Sequence, residues 1–430
     1  MNTETKQAGV LKLLCLGVSY AFSYAYIEFF NLGMSHLQST VYLCLLALGV
    51  CIWLEMTIRQ KVLAGDFEPP KMMRIEPRFW EGILLLLSLS TYKSDMPVLT
   101  MFFIHMVVFY MALCGTGHLL SDRSSCLMPL DLINGIFRMP FRNFFARILT
   151  WYELLRRRHE EKEDREERSV AKICGIIVVL GLFFIFFLIA LENLSSVDGH
   201  FREVINWIDR SLQQISISES IENFLCSLPI GACLFGAFQG GVRLDQKYEK
   251  EYHARLTSDA LRFRFMPDML LSFVIGVFAL VYLAFFISQS SYMFSAFAGV
   301  LPEEFTASEY AVSGFQELIN VVVLNFVLLI CVRIFGSHER RLLRIMSVIL
   351  MVESMVFATI SASKIILYMS RFGYTLSRTL GLWGTVVVFA GAICAIVHLL
   401  KNKRTFLPWL WFSAGSYVVM QFITWAFTGV

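Results

Sequence analysis

The sequence is short of charge. Only 17% of its 430 residues are Asp, Glu, Lys or Arg, against about 25% in a soluble domain. The shortage is not local, because apolar runs recur from Leu11 to the last ten residues. An ordinary water-soluble globule is therefore excluded. Hydrophobic residues make up 57% of the chain and Phe alone counts 39, with a mean hydropathy of +0.62. Lipid must solvate such a chain over most of its length. The net charge of +3 says little until the charges are assigned to loops.

Other absences narrow the function. No C-x-x-C pair occurs among the ten cysteines, nearly all of which lie in apolar runs, where Cys packs as a small hydrophobe. This argues against a structural zinc site and a disulfide framework. The sequence has no P-loop, no G-x-G-x-x-G and no H-E-x-x-H. His118, Ser121 and Asp122 are close together, but no G-x-S-x-G accompanies them. Internal repeats and low-complexity tracts are not evident. No cofactor, no metal and no nucleic-acid partner is expected; the lipid bilayer is. Leu11–Phe30 lacks an A-x-A-like cleavage site and reads as a first span, not a removable signal.

What is present is a series of segments near the roughly 20 apolar residues that a span requires. They run over 10–31, 39–58, 79–93, 97–120, 171–191, 221–241, 267–289, 309–335, 343–367, 377–400 and 406–427. The third is short and follows Glu81. Loop charges support the series. Lys and Arg crowd the loops after the second, fourth, sixth, eighth and tenth segments, as at Arg59, Arg123, Arg243, Arg340 and Lys401. Residues 32–38 and 290–308 carry none, and 192–220 carries only Arg202 and Arg210. Under the positive-inside rule this alternation puts the N-terminus in the cytoplasm and the C-terminus outside. The third segment is needed to keep the alternation.

The expected fold is thus an all-α polytopic bundle of about 11 spans. It divides into N-terminal spans (1–120), a cytoplasmic linker (121–170) and C-terminal spans (171–430). The linker begins with aromatics interleaved with Arg, so residues 130–158 suit an interface with anionic lipid. Its second half, RRRHEEKEDREERS, is a solvated run of mixed charge. The whole 121–170 stretch could dock a protein partner or serve as a plain connector. On the outside, within 192–220, Phe201, Val204, Ile205, Ile208, Leu212 and Ile215 recur at helical spacing and predict a short amphipathic cap. Asn193-Leu-Ser195 is a glycosylation sequon on that side.

The candidate site lies on the eighth to tenth segments. An ionisable group inside a span is costly and marks function by default. At 100° per residue, Tyr310, Gly314, Glu317, Val321 and Asn325 share one face of the eighth helix, with Glu309 at its start. On the ninth, Glu353, Lys364, Tyr368 and Arg371 share a face. Arg378 opens the tenth. Glu317, Lys364 and Arg378 thus converge on the outer half of three consecutive helices, and pairing would relieve their burial. Such a cluster suits an anionic group or a proton- or ion-coupled step. The competing reading is an ion pair that only fixes helix packing. His105, alone in the fourth segment, reads as a hydrogen-bonded packing residue.

Two stretches resemble a family of bacterial polytopic membrane proteins known as a domain of unknown function. Leu301, Pro302, Glu303, Thr306, Glu309, Tyr310, Ala311, Gly314, Phe315, Glu317 and Leu318 match one of its patterns. Tyr368, Phe372, Gly373, Tyr374, Thr375 and Arg378 are similar to a second. An arginine pair of the family is Val312-Ser313 here, so any role needing that pair does not transfer. The resemblance implies a bacterial inner-membrane location and no particular activity. The leading expectation is transport or translocation of a small or lipid-linked solute. A non-transporting sensor or assembly factor comes second, and an intramembrane lipid-modifying enzyme third.

Overall fold

A computed structural model describes residues 3–63, 71–93, 97–121, 123–156, 219–243, 258, 264–288, 307–336 and 341–428. The expected span 171–191, the external cap within 192–218, the charged run 157–170 and the stretch 301–306 lie outside the described residues.

The described chain is helical. In order come α1 (Thr3–Asn31), α2 (His36–Leu63), α3 (Lys71–Ser90) with a 3-10 turn (Thr91–Lys93), and α4 (Pro97–Thr116). Four short pieces follow: α5 (Met128–Ile133), a π turn (Asn134–Arg138), α6 (Met139–Arg142) and α7 (Ala146–Arg156). The remaining helices are α8 (Glu219–Arg243), α9 (Asp268–Ser288), α10 (Ala307–Phe335), α11 (Arg341–Phe372), α12 (Leu376–Lys401) and α13 (Phe406–Thr428). Among the described residues there is no strand, only an isolated bridge in which the Met266 amide donates to Phe335 O at 3.1 Å.

Nine helices among the described residues are long and apolar enough to cross a membrane. Their outward faces carry large apolar side chains such as Ile52, Phe273, Leu280 and Ile330. A helix is the natural form for such segments, since it satisfies every backbone polar group internally where water is absent. The third expected span differs in its bounds. It does form a helix, α3, but one that starts well before residue 79 and takes in Arg74, Glu76, Arg78 and Glu81. Those charges remove it from the nine.

The helices gather into two compact units. Unit 1 comprises Met1–Pro77, Val108–His118 and Asp131–Arg243; unit 2 comprises Arg78–Val107, Leu119–Leu130 and Leu244–Val430. In unit 1, α1 packs on α2 and α8, and Trp53 stacks on Phe238 with ring centroids 4.8 Å apart. The glycine-rich face of α8 lets α6 and α7 come close. A Cβ at Gly236 would sit 2.7 Å from Pro140 O, and one at Gly241 would collide with the Thr116 side chain. The segment expected to lie on the membrane surface is therefore partly built into unit 1. Met139, Pro140, Ala146 and Arg147 are buried, while Ile133, Phe137, Phe141, Ile148 and Trp151 remain exposed.

In unit 2 the central helix is α11, which packs against α9, α10 and α12; α12 in turn packs on α13. Its core holds Ile275, Val322, Leu350, Met351, Phe357 and Ile360. Phe357 meets Phe286 at 4.5 Å and Tyr282 edge-on at 5.2 Å. Phe79 stacks on Trp411 at 4.7 Å.

Candidate functional site

The long apolar helices of unit 2 carry the expected polar residues, but not all of them meet. Glu309 and Tyr310 fall in the first turn of α10, with their side chains outside the described residues. Glu317, two turns on, is exposed. Lys364 of α11 is buried, at 1% exposure, and interacts electrostatically with Glu317. The pair has electrostatic proximity and no direct salt bridge among the described residues. Arg371 is exposed in the last turn of α11.

Arg378 is engaged elsewhere. Its guanidinium donates to Phe372 O at 2.9 Å and to Gly373 O at 2.8 Å, and lies 4.3 Å from the centre of the Tyr368 ring. Tyr368 in turn packs on Phe372 at 5.0 Å. Gly373 has a φ of 77° and its amide donates to Met369 O. A left-handed residue after a helix closes its last turn, and only Gly takes that φ cheaply. The second family pattern therefore builds the corner between α11 and α12, with Arg378 as a cation at the carbonyl end of α11.

Asn325 is where the polar faces of the helices do converge. It is fully buried. The Tyr282 hydroxyl of α9 donates to Asn325 Oδ1 at 2.8 Å, and Asn325 Nδ2 donates to Ser354 Oγ of α11 at 2.9 Å. Ser354 then donates to Leu350 O. Glu353 adjoins this network and interacts electrostatically with Tyr282. It is half-buried, and its Oε2 is buried with no hydrogen-bond donor. Above and below, Ser347 and Ser361 are at most 1% exposed on the same side of α11. Sequence reading missed Tyr282 and the serines. The serines had a usable signal, since they recur every heptad through an apolar helix.

Among the described residues unit 1 buries more charge, and none of it was expected as a site. Lys61, Glu76, His118, Asp131 and Arg147 are each no more than 3% exposed. Lys61 Nζ donates to Thr116 O at the end of α4 and to Gly241 O at the end of α8, the latter at 2.8 Å. His118 Nε2 lies 2.7 Å from the same Gly241 O and 3.3 Å from Lys61 Nζ. One cation thus serves the carbonyl ends of two helices, where both backbone dipoles favour it. Cys114 donates to Glu76 Oε1 at 3.8 Å and also feels Asp131. Arg147 donates to Ser19 O at 2.7 Å, Ser19 Oγ at 3.0 Å, Ser23 Oγ and Leu228 O, with Tyr20 against its face. Burial pulls its pKa down to about 10, which leaves it charged at neutral pH. These residues lie at span ends or in the linker, where periodicity does not single them out.

Among the described residues, no group of three or more His, Cys, Asp and Glu side chains could hold a metal ion. The chain matches no curated protein and no solved structure. A family model described as a domain of unknown function, DUF4153, matches residues 82–428. That range contains both stretches that carried the resemblance and all of α9 to α13. With most of its length covered by that match, the chain belongs to the DUF4153 family.

Proposed function

We propose that this chain is a multi-pass protein of the bacterial cytoplasmic membrane that moves a small or lipid-linked solute along the buried side of α11. One observation carries the reading. Ser347, Ser354, Ser361 and Lys364 are all at most 1% exposed on one side of a 32-residue helix. From Ser347 to Lys364 the rise is about 25 Å at 1.5 Å per residue, against a hydrocarbon core of about 30 Å. Small hydroxyls in a row leave space between helices and offer hydrogen bonds at successive depths. Asn325 and Tyr282 widen the polar surface at mid-depth. The loop charges support an N-terminus in the cytoplasm, which puts the Phe372 end of α11 outside.

Thiol accessibility tests the reading. In a cysteine-free background, Ser347→Cys, Ser354→Cys and Ser361→Cys are exposed to a membrane-impermeant maleimide, with Val352→Cys as a control on the outward face. A solute path predicts labelling of the serine positions and none of Val352→Cys. From the outside of intact cells, Ser361→Cys should be reached first. If all three serine positions stay unlabelled from both sides, the column is packing and the transport reading fails.

The exposed edge of unit 1 supports contact with anionic lipid. Ile133, Phe137, Phe141, Ile148 and Trp151 are open, with Arg142 exposed and Arg138 half-buried among them. Apolar side chains at the acyl boundary with arginines toward phosphates is the usual interfacial arrangement. The same edge favours the alternative reading, a sensor or assembly factor that docks a protein through 121–170.

A further inference from the structure

We propose that Glu353 is the proton-exchanging group of unit 2, with the Tyr282–Asn325–Ser354 network as the fixed wall beside it. The inference rests on the transport reading and names the coupling ion of that same site.

Depth is the first argument. Glu353 lies about 18 Å along α11 from Arg341 at 1.5 Å per residue, near the middle of a core about 30 Å thick. Its neighbours one turn away, Ile349, Leu350, Val356 and Phe357, are all apolar. The second argument is the lack of fixed partners. Among the described residues Glu353 makes no hydrogen bond and no ion pair, and its Oε2 is closed off from solvent. The polar side chains of the adjoining network bond one another. Tyr282 donates to Asn325, Asn325 to Ser354, and Ser354 to a backbone carbonyl. The Tyr282 and Ser354 hydroxyl protons are spent within the network, one of the two Asn325 N–H groups is spent on Ser354, and the Tyr282 oxygen can still accept from a protonated carboxyl.

The surrounding charges do not fill the gap. On α9, Tyr282 is the group that interacts with Glu353. On α10, Glu317 and Arg333 lie toward opposite ends of the helix, with Asn325 between them. On α11 itself, Arg344 is near the start and Lys364 is about 16 Å away along the axis. On α12, Arg378 holds the corner with α11 and His398 Nδ1 is bonded to Lys403 O. At this depth the half-buried carboxyl faces protein and lipid, and its closed-off Oε2 meets water only when the helices part. Its charged form needs that water and its protonated form does not, so proton exchange follows opening of the site. The chemistry is one O–H bond formed or broken at a Glu353 carboxyl oxygen, with water as the source and sink of the proton.

Dicyclohexylcarbodiimide supplies the test, because it enters apolar sites and reacts with protonated carboxyls. The full chain in lipid nanodiscs is treated from pH 5 to pH 9 and the modified peptides are read by mass spectrometry. We expect modification at Glu353 that falls at least tenfold as pH rises, and that a water-soluble carbodiimide does not reproduce. Tyr282→Phe should displace the pH profile while leaving the site reactive. Absence of modification at Glu353 at every pH, or modification independent of pH, would overturn the proposal. The two readings fail separately. Labelled serine positions with an inert Glu353 would keep the path and remove the proton site. A titrating Glu353 between unlabelled serine positions would keep the proton site and remove the path.

Discussion

In unit 1, Lys61 spans the carbonyl ends of α4 and α8, Glu76 accepts from Cys114, and Arg147 is held by four acceptors from α1 and α8. In unit 2, buried Lys364 interacts electrostatically with an exposed Glu317, and Glu353 has no hydrogen-bonding partner among the described residues. Among the described residues unit 1 buries more charge and spends it on backbone and side-chain partners in fixed geometry. Unit 2 buries less, and there Glu353 is left without a hydrogen bond. A buried polar group with its hydrogen bonds filled rigidifies a structure, because any movement strands it. A buried group with capacity to spare can exchange a ligand or a proton at smaller cost. On the transport reading proposed above, unit 1 is the frame and unit 2 the working part.

The largest effect should come from unit 1. Lys61→Met leaves Thr116 O and Gly241 O without their cation. Each charge-assisted bond is worth about 1.5–3 kcal/mol, and relief of the buried charge offsets some of that. A net loss of about 2–3 kcal/mol is expected, read as a lower melting temperature in detergent. Glu353→Gln should leave the melting temperature where it was. If both substitutions cost the same, the division between frame and working part is wrong.

A smaller loss is expected within the fixed wall of unit 2. Asn325→Leu strands the Tyr282 hydroxyl, at about 1–2 kcal/mol for a buried donor left unmade. Ser354 keeps its bond to Leu350 O, so it should add little. Tyr282→Phe combined with Asn325→Leu should be more stable than Asn325→Leu alone, since no donor then remains to strand. A double variant that is worse than the single would mean that Tyr282 contributes through packing, not through its hydroxyl.

The smallest effect per side chain belongs to the exposed edge of unit 1. In nanodiscs of anionic lipid, Arg138→Gln with Arg142→Gln should lose roughly 1 kcal/mol for each basic side chain near the surface. Neutral lipid, or high salt, should abolish the difference. Equal stability of the double variant and the parent in anionic lipid would remove the electrostatic part of that contact.

Glu317, Lys364 and Arg378 show how far helix phase alone can reach. Periodicity predicts them at similar depth on neighbouring helices, and of the three Glu317 and Lys364 interact electrostatically. Phase does not say which way a side chain turns or which carbonyls lie within reach, and so Arg378 was assigned to a cluster when it closes a corner. Asn325 is the converse. It was placed on the right face, but its partners Tyr282 and Ser354 come from helices that the sequence does not bring together. The third span shows the same limit: counting loop charges does not single out Glu76, which is buried against Cys114.

The sequence by itself determined the solvent and the element type. A charge-poor chain with apolar runs of span length has to sit in lipid, and lipid admits helices because they close their own hydrogen bonds. It also determined where those helices run, since the runs are bounded by charge, Pro and Gly. Tertiary structure alone decided which buried charges are satisfied. Hydrogen-bond partners separated by tens to nearly two hundred positions, such as Lys61 with Gly241 and Arg147 with Ser19, depend on which helices pack and in what register. The glycines of α8 permit that close packing, but which segment comes to lie against them is a property of the assembled fold. The same holds for Glu353, whose isolation is visible only once its neighbours have been paired with one another.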